Sequence, residues 1–394
     1  MIRTKDYKTQ THFEERKNVC TNGVWNIALD AGYSAVKVMS PNIVASFPSI
    51  ACKIDNKGFI GKLPKDCIRL KNHDTGELWL VGQAAQDMIS DENTSISSKL
   101  MYTRNRFEDP MFKILIDAGL GIACMQNKYG NSIGKEIFVQ TGLPLEYLDD
   151  GTLDTTMDID SDKERLTDII AGKHNFSIWI GEEPERKYSI YINRKNIFTI
   201  DQPRGTLFSV AIDNEGNVLP GAETLFSRKG IVFDAGFGTL DIFSLKNNKI
   251  DSGQTWADLG MRAVMEETAN LIREAYGIRI SVPALQKYLE SGNIRYHKGR
   301  IAKNVAFADM LEKASRKVCK QAIDRLFQTY TLYEYDYLIV TGGTGDAWKS
   351  YIKEELSGME TLEIMNGDKN DTLPMFFANV RGFYLYRLMH LKNR

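Results

Sequence analysis

The sequence of 394 residues lacks the features that mark several protein classes. Its five cysteines are scattered without a Cys-x-x-Cys pair, which argues against a zinc site or a disulfide framework and favours a reducing compartment. No apolar run approaches the roughly 20 residues that a membrane-spanning helix needs. The N-terminus is polar with mixed charge, unlike a signal peptide. We therefore expect a cytoplasmic protein that does not enter a membrane.

An excess of either charge is also missing. The 50 basic and 51 acidic residues leave a formal net charge of −1, which does not favour a nucleic-acid or membrane surface. The phosphate-binding motif G-x-x-x-x-G-K-S/T is absent, so a P-loop nucleotidase is disfavoured. The five histidines have neither ligand spacing nor a plausible nucleophile partner. What remains is an ordinary globular composition, with 43% hydrophobic and 26% charged residues.

Two short segments about two hundred positions apart repeat one pattern. They are Ile27-Ala-Leu-Asp-Ala-Gly-Tyr-Ser-Ala-Val-Lys37 and Ile231-Val-Phe-Asp-Ala-Gly-Phe-Gly-Thr-Leu-Asp241. In each segment an apolar run of strand type ends in Asp, a small residue and Gly, and a second β-prone stretch follows. The pattern predicts a hairpin whose tight turn carries a carboxylate. An ancient duplication explains why it occurs twice.

Two such hairpins facing each other predict a site for a phosphate chain and Mg²⁺. Glycine lets the backbone approach phosphate oxygens, its neighbours supply N–H donors, and Asp30 and Asp234 hold the cation directly or through water. The alternative for each aspartate is a turn residue that caps its hairpin, although their paired occurrence favours the cation site. Lys37 either reaches a phosphate or is a solvated strand lysine, and Ser34 contacts phosphate or serves the turn.

The remaining pattern alternates strands and helices. We predict buried strands at Val24–Leu29, Glu136–Thr141 and Tyr337–Thr341, a strand at Leu207–Ile212, and helices near residues 111–126, 261–276, 307–330 and 379–391. The segment Gly342-Gly-Thr-Gly-Asp346 is expected to form a glycine-rich turn before a helix at Trp348. Residues 1–23 have few apolar positions and are expected to be a flexible extension.

This order of strand, hairpin, helices, strand, glycine-rich turn and helix resembles the actin-like ATPase superfamily from Val24 to the C-terminus. The resemblance implies an α/β fold, a duplicated actin-like (ribonuclease H-like) two-lobe ATPase fold with a nucleotide cleft. It places the first lobe at residues 24–229 with an inserted subdomain at about 45–110, and the second lobe at 230–378 with an insertion at about 255–335. Residues 379–394 would form a C-terminal helix that returns to the first lobe.

The same resemblance assigns nucleotide-binding residues in three motifs. The first phosphate loop comprises Asp30, Gly32, Tyr33, Ser34 and Lys37. The second comprises Asp234, Gly236, Phe237, Gly238 and Thr239. The adenosine motif comprises Gly342, Gly343, Thr344 and Gly345. These motifs imply binding of ATP, or ADP after hydrolysis, with Mg²⁺ held at Asp30 and Asp234, of which Asp234 also takes a catalytic role.

Three further positions carry open alternatives. Glu146, after Leu-Pro-Leu, would position or activate the attacking water, unless it is an ordinary exposed loop glutamate. Arg262 and Glu266 could contact the ribose or the base of the nucleotide. The alternative is that they are two solvated charges on a helix surface. Asp241 is expected to be structural, closing the second hairpin, rather than catalytic.

Within the superfamily the closest resemblance is to plasmid-segregation actins of the ParM and Alp type. It rests on Leu143-Pro-Leu-Glu-Tyr147, the segment 176–210 and Ala378-Asn-Val-Arg-Gly382. It implies an ATPase that polymerises into filaments, contacts an adaptor of the ParR type and binds no nucleic acid directly. Two alternatives are a sugar or acetate-type kinase, which would need a catalytic Asp at an acceptor site, and a nucleotide-binding scaffold that does not polymerise.

Overall fold

The computed structural model describes residues 2–54, 62–88, 103–145, 162–298 and 300–392, which form two compact units. The unit here called the first lobe contains the described residues from Thr9 to Ala222 together with those from Asn370 onward. The second lobe contains residues 2–8 and Glu223–Lys369. The chain thus changes lobe at 222/223 and 369/370, where the sequence predicted 229/230 and 378/379.

The strands and helices follow each other in chain order. The strands are β1 (His12–Glu15), β2 (Val24–Ala31), β3 (Ala35–Ser40), β4 (Ile43–Pro48), β5 (Ala51–Lys53), β6 (Ile68–Asn72), β7 (Leu78–Val81), β8 (Glu136–Leu143), β9 (Gly172–Ile180), β10 (Arg186–Ile192), β11 (Ile197–Asp201), β12 (Gly230–Ala235), β13 (Leu240–Lys246), β14 (Lys249–Trp256), β15 (Asn293–Lys298), β16 (Ile301–Ala306), β17 (Tyr337–Thr341) and β18 (Glu363–Asn366). The helices are α1 (Gln83–Asp87), α2 (Pro110–Ala123), α3 (Asp162–Ile170), α4 (Gln202–Ala211), α5 (Ala222–Ser227), α6 (Met261–Tyr276), α7 (Val282–Tyr288), α8 (Ala308–Thr329), α9 (Gly342–Glu355) and α10 (Ala378–Lys392).

The main sheet of the first lobe has the strand order β1-β4-β3-β2-β8-β11. Its neighbours are antiparallel from β1 to β2, whereas β2, β8 and β11 run parallel. Helices cover both faces of β2: Leu29 lies against Gly119 of α2, and the Asn26 side chain donates to the Tyr384 carbonyl of α10. Burial on both faces explains the nearly continuous apolar run of this strand.

The main sheet of the second lobe has the order β14-β13-β12-β17-β18. In this order the first two strand pairs are antiparallel and the last two are parallel. The strands β4-β3-β2-β8-β11 of the first lobe have the same arrangement. The strand that carries each repeated motif therefore occupies the centre of its sheet. The duplicated α/β fold that the sequence predicts is confirmed.

Smaller sheets complete the two lobes. The first lobe has a five-stranded antiparallel sheet, β10-β9-β6-β7-β5, and the second lobe has the β15-β16 hairpin. Within the described part of the chain, no helix combines the length and the apolar character that crossing a membrane requires.

The strand expected at residues 207–212 is wrong, because this stretch lies mainly in α4. Asp201 caps the helix by accepting the Arg204 N–H at 3.0 Å, and Pro203 occupies its first turn. Burial raises the pKa of the Asp201 carboxyl, against the lowering effect of Arg204. A short apolar run does not distinguish a buried helix from a strand, and here the capping residues decide for the helix.

The first 23 residues also differ from the flexible extension that we expected. Thr4 donates to the Leu289 carbonyl at 2.6 Å, and the buried Tyr7 hydroxyl donates to Ser315, both within the second lobe. Strand β1 then extends the first-lobe sheet beside β4. Hydrogen bonds to distant residues order this segment, and an apolar pattern along the sequence does not reveal such bonds.

Candidate functional site

The first repeated motif forms a tight hairpin between β2 and β3. Asp30 lies opposite Lys37 in the strand register, and the Gly32 N–H donates to the Ala35 carbonyl at 3.0 Å. Residues Gly32, Tyr33 and Ser34 make the turn. The predicted hairpin with a carboxylate at its turn is therefore present.

The Asp30 carboxylate is buried and has partners on both oxygens. The Lys37 Nζ lies 2.8 Å from Oδ2, and the Gln202 Nε2 donates to Oδ1 at 3.2 Å. Lys37 is therefore not a freely solvated lysine, since its charge is held against Asp30. Sequence reasoning missed Gln202, which belongs to the first turn of α4 and lies 172 positions from Asp30.

Two residues outside the motif hold the first turn. The Ser49 hydroxyl donates to the Gly32 carbonyl at 2.7 Å, and its backbone N–H donates to the Ser34 carbonyl at 2.9 Å. The Arg106 guanidinium stacks on the Tyr33 ring at 4.5 Å. Neither Ser49 nor Arg106 stands out in the sequence, because both reach the turn only through the tertiary fold.

The second motif forms the corresponding hairpin between β12 and β13. The Gly236 N–H donates to the Thr239 carbonyl at 2.9 Å, and Asp234 lies opposite Asp241. Asp241 accepts hydrogen bonds from the hydroxyls of Thr239 at 2.9 Å and Thr255 at 2.5 Å. These bonds agree with the structural role expected of Asp241. Phe237 and Gly238 lie within the turn.

The glycine-rich segment begins a helix directly, rather than forming the separate turn that we expected. Gly342 is the first residue of α9 and has a φ of +83°. A Cβ atom there would lie 2.2 Å from the Ala235 carbonyl oxygen and 2.8 Å from Asp234 Oδ1, so only glycine fits. The Thr344 hydroxyl donates to the Gly236 carbonyl at 2.6 Å. The first turn of α9, which includes Gly343 and Gly345, thus packs against the second hairpin.

Helix α6 also begins at the second hairpin. The Arg262 N–H donates to the Phe237 carbonyl at 2.8 Å, and a Cβ on Gly260 would lie 2.6 Å from the same oxygen. The Arg262 side chain reaches Glu266 with an Nε to Oε1 distance of 2.9 Å, and both side chains are about half exposed. The backbone of Arg262 therefore belongs to the hairpin environment, while a ligand contact by either side chain remains a prediction.

The chemistry of these residues fits a phosphate group with a magnesium ion. A search of the described ranges finds no group of three or more His, Cys, Asp and Glu that could hold a metal alone. Mg²⁺ commonly keeps several waters and takes one or two carboxylates together with substrate phosphates, so single buried aspartates suit it. The N-terminal N–H groups of α9, beside Asp234, form a second feature that favours phosphate. Glu146 lies outside the described residues.

The comparisons with known proteins agree with this arrangement. The model for the N-terminal domain of actin-like proteins matches residues 28–205. A non-polymerisable quadruple mutant of pCBH ParM superposes with a TM-score of 0.69 at 19% identity, covering 92% of this chain and 99% of that one. A 15-stranded ParM filament from Clostridium botulinum gives 0.67 at 19%, covering 94% and 99%, and Alp7A gives 0.63 at 14%, covering 94% and 97%.

An archaeal actin homologue, Ta0583, solved in complex with ADP, gives a TM-score of 0.59 at 15% identity, covering 92% of this chain and 99% of that one. A search of proteins with curated functions gave no match. The actin-like fold is thereby confirmed. The predicted resemblance to actin-like proteins of the ParM and Alp type is confirmed as well, by the family model together with these neighbours.

Proposed function

We propose that this actin-like chain binds ATP with Mg²⁺, hydrolyses it to ADP and polymerises into filaments that segregate plasmid DNA. The observation that carries the proposal is the twofold occurrence of one hairpin, with a buried aspartate and the same glycine hydrogen bond at its turn. Two similar structures support it, since one is a ParM filament and another is an actin homologue in complex with ADP.

The residues of the two hairpins have distinct tasks in this proposal. Asp30 and Asp234 hold Mg²⁺ through its water shell, and the ion, when bound, neutralises phosphate charge. Backbone N–H groups at Gly32, Gly236 and the start of α9 donate to phosphate oxygens. Phosphoryl transfer needs mainly such positioning and charge stabilisation, and little covalent chemistry from the protein.

Glu146 supplies the remaining group that hydrolysis needs. We place it as the residue that orients the attacking water, on the strength of the Leu-Pro-Leu-Glu pattern after β8. The β8 strand is buried and central, so the chain enters this segment from a rigid element. We further propose an adaptor protein of the ParR type as the link to DNA, and the cytoplasm as the location.

Sedimentation and phosphate release, measured together, test this function. Purified protein with Mg²⁺ and ATP, without any small-molecule acceptor, should pellet and release phosphate, whereas protein without nucleotide should stay in the supernatant. ATP-independent solubility with no phosphate release would indicate a scaffold. Phosphate transfer that appears only when sugars or acetate are added would indicate a kinase. Either result overturns the proposal.

A further inference from the structure

A buried arginine from a distant part of the first lobe packs against the first turn. Arg106 belongs to a short 3₁₀ turn, Arg104–Glu108, just before α2, and its side chain is only 2% exposed. Its Nη1 donates to the Ala31 carbonyl at 2.9 Å. Nothing in the repeated motif requires this residue, which lies 75 positions from Ala31.

The Ala31 carbonyl lies where the parallel ladder has ended. The pairing of β2 with β8 stops at Leu29 and Thr141, two residues before Ala31. The next residue, Gly32, directs its N–H toward the Ala35 carbonyl on the β3 side. Successive backbone groups of a strand point to opposite sides, so Ala31 faces the side on which β8 no longer pairs. Arg106 supplies the donor that the sheet does not.

Aromatic rings surround the guanidinium, and no carboxylate pairs with it. Its Cζ lies 4.5 Å from the Tyr33 ring centroid and 5.3 Å from those of Phe107 and Phe112. Among the residues that the structure describes, no acidic side chain comes within 4 Å of it, and its buried Nε has no hydrogen-bond partner. Rings of this kind stabilise a cation only in part.

The two neighbouring carboxylates make their hydrogen bonds to other groups, and the buried Asp109 Oδ2 has no partner among the described residues. Asp30 is held by Lys37 and Gln202, and Asp109 Oδ1 caps α2 by accepting the Met111 N–H at 2.9 Å. In the ranges that the structure describes, no acidic side chain forms an ion pair with Arg106, so a buried positive charge lies behind the first turn. A buried charge of this kind is costly, and the cost falls when an anion approaches.

We propose that Arg106 is a positioning residue for the phosphate chain, which rests on the proposed function. It fixes the turn through the Ala31 carbonyl and the Tyr33 ring, and its charge raises the affinity of the turn for phosphate. It does so without touching the nucleotide. The effect grows with the negative charge of the ligand, so ATP depends on Arg106 more strongly than ADP does.

The test compares two substitutions at Arg106 with a matched control. Arg69→Gln serves as the control, because Arg69 also donates to a backbone carbonyl, that of Gly181 at 3.3 Å, and stacks on the Trp179 ring at 5.5 Å. It lies in the same lobe but in the smaller sheet. Dissociation constants for ATP and for ADP are measured by calorimetry at low and high salt, on variants whose circular dichroism matches the wild type.

Arg106→Gln should weaken ATP binding about tenfold and ADP binding less, with the difference shrinking at high salt. Arg106→Lys, which keeps the charge, should recover the preference for ATP even if overall affinity stays lower. Arg69→Gln should leave both constants unchanged. Equal losses for ATP and ADP in Arg106→Gln, or no loss, would overturn the inference while leaving nucleotide binding intact. A wild-type protein that binds neither nucleotide would instead refute the proposed function.

Discussion

The two hairpins have the same strand register, and they differ in charge at one paired position. Opposite Asp30 stands Lys37, which forms an ion pair with it at 2.8 Å. Opposite Asp234 stands a second carboxylate, Asp241, whose oxygens accept from two threonine hydroxyls. Residues directly opposite each other in an antiparallel pair project to the same face of the sheet. The first hairpin thus neutralises its carboxylate, whereas the second brings two carboxylates together.

This difference indicates a division of tasks after the duplication. Like charges directly opposite each other destabilise a sheet, so the second hairpin gains most from a bound cation. The first hairpin carries Lys37 and lies beside Arg106, which makes it the better partner for an anion. A metal–phosphate complex carries charges of both signs, so each kind of hairpin suits one part of it.

Loss of the Asp234 carboxylate is expected to have the largest effect. Asp234→Ala should abolish turnover, a fall of about a thousandfold or more in the rate of phosphate release. Asp30→Ala should reduce it by a smaller factor, because Lys37 already shares that charge. Asp74→Ala, at an exposed turn of the first lobe, is the control. Equal losses at Asp30 and Asp234 would break the proposed division, and wild-type turnover in well-folded Asp234→Ala would remove the assignment altogether.

Replacement of Gly342 tests the packing of α9 on the second hairpin. Gly342→Ala should lower the free energy of unfolding by about 3 kcal/mol, because it combines a positive φ with a clash against the Ala235 carbonyl. Gly277→Ala separates the two causes. Gly277 has a φ of +70° with open space around it, so its replacement by alanine should lower the free energy of unfolding by only about 1 kcal/mol. Equal losses of unfolding free energy for the two variants, measured by urea unfolding, would show that the close approach of Gly342 to the Ala235 carbonyl contributes nothing.

Glu146→Ala should separate binding from hydrolysis. In the proposal Asp30 and Asp234 hold the cation and Glu146 orients the attacking water, so we expect unchanged ATP affinity and phosphate release slower by about a hundredfold. Filaments should then persist longer in light-scattering traces. Glu215→Ala, at an exposed position of the first lobe, should behave as wild type. Normal hydrolysis in Glu146→Ala would move the water-positioning role to another residue.

The smallest expected effect is on the free energy of unfolding. The prediction compares a buried ion pair of the first lobe with an exposed ion pair of the second lobe. Burial alone would raise the pKa of the Asp371 carboxyl, but Arg16 and Arg381 outweigh it and lower the pKa from 3.8 to about 2. This carboxylate therefore contributes stability that is fully present above about pH 4 and is lost as the pH falls toward 2. The size of the shift corresponds to about 2 kcal/mol.

Asp371→Asn should therefore lower the unfolding free energy by about 2 kcal/mol at neutral pH, with the gap to wild type narrowing in acid. Asp258→Asn, which removes the exposed bidentate pair with Arg325, should cost less than about 1 kcal/mol. Chemical unfolding from pH 7 to pH 2.5 measures both. A gap for Asp371→Asn that does not change with pH would contradict the electrostatic explanation.

The sequence predicts an element correctly where the residues of that element alone determine its conformation. The strand Tyr337–Thr341 and the helix Met261–Tyr276 have the bounds that the sequence predicts. Both hairpins form where the sequence predicts them, although their strand bounds differ by one or two residues, since an apolar run that ends in Asp-Ala-Gly specifies a turn by itself. Prediction failed at α4 and at the start of α9, where capping and close packing decide the backbone.

Contacts over long distances in the chain escaped prediction. Gln202 on Asp30, Arg106 on Ala31 and Arg16 on Asp371 join residues that are 172, 75 and 355 positions apart. Each contact joins an ordinary polar side chain to a carboxylate or backbone carbonyl far away in the chain, with no local periodicity. Hydrogen-bond partners of this kind become visible only when the chain has been folded.

The sequence by itself determined the duplication, the two carboxylate turns and the glycine that begins α9, because each follows from residue types within one short segment. Only the tertiary structure decided how the two turns differ. The charge at a turn depends on every buried group packed against it. For the first turn these include Lys37, Gln202 and Arg106, and of these three only Lys37 lies in the repeated motif. The repeated hairpin conformation was therefore predictable, and the different charged surroundings of the two turns were not.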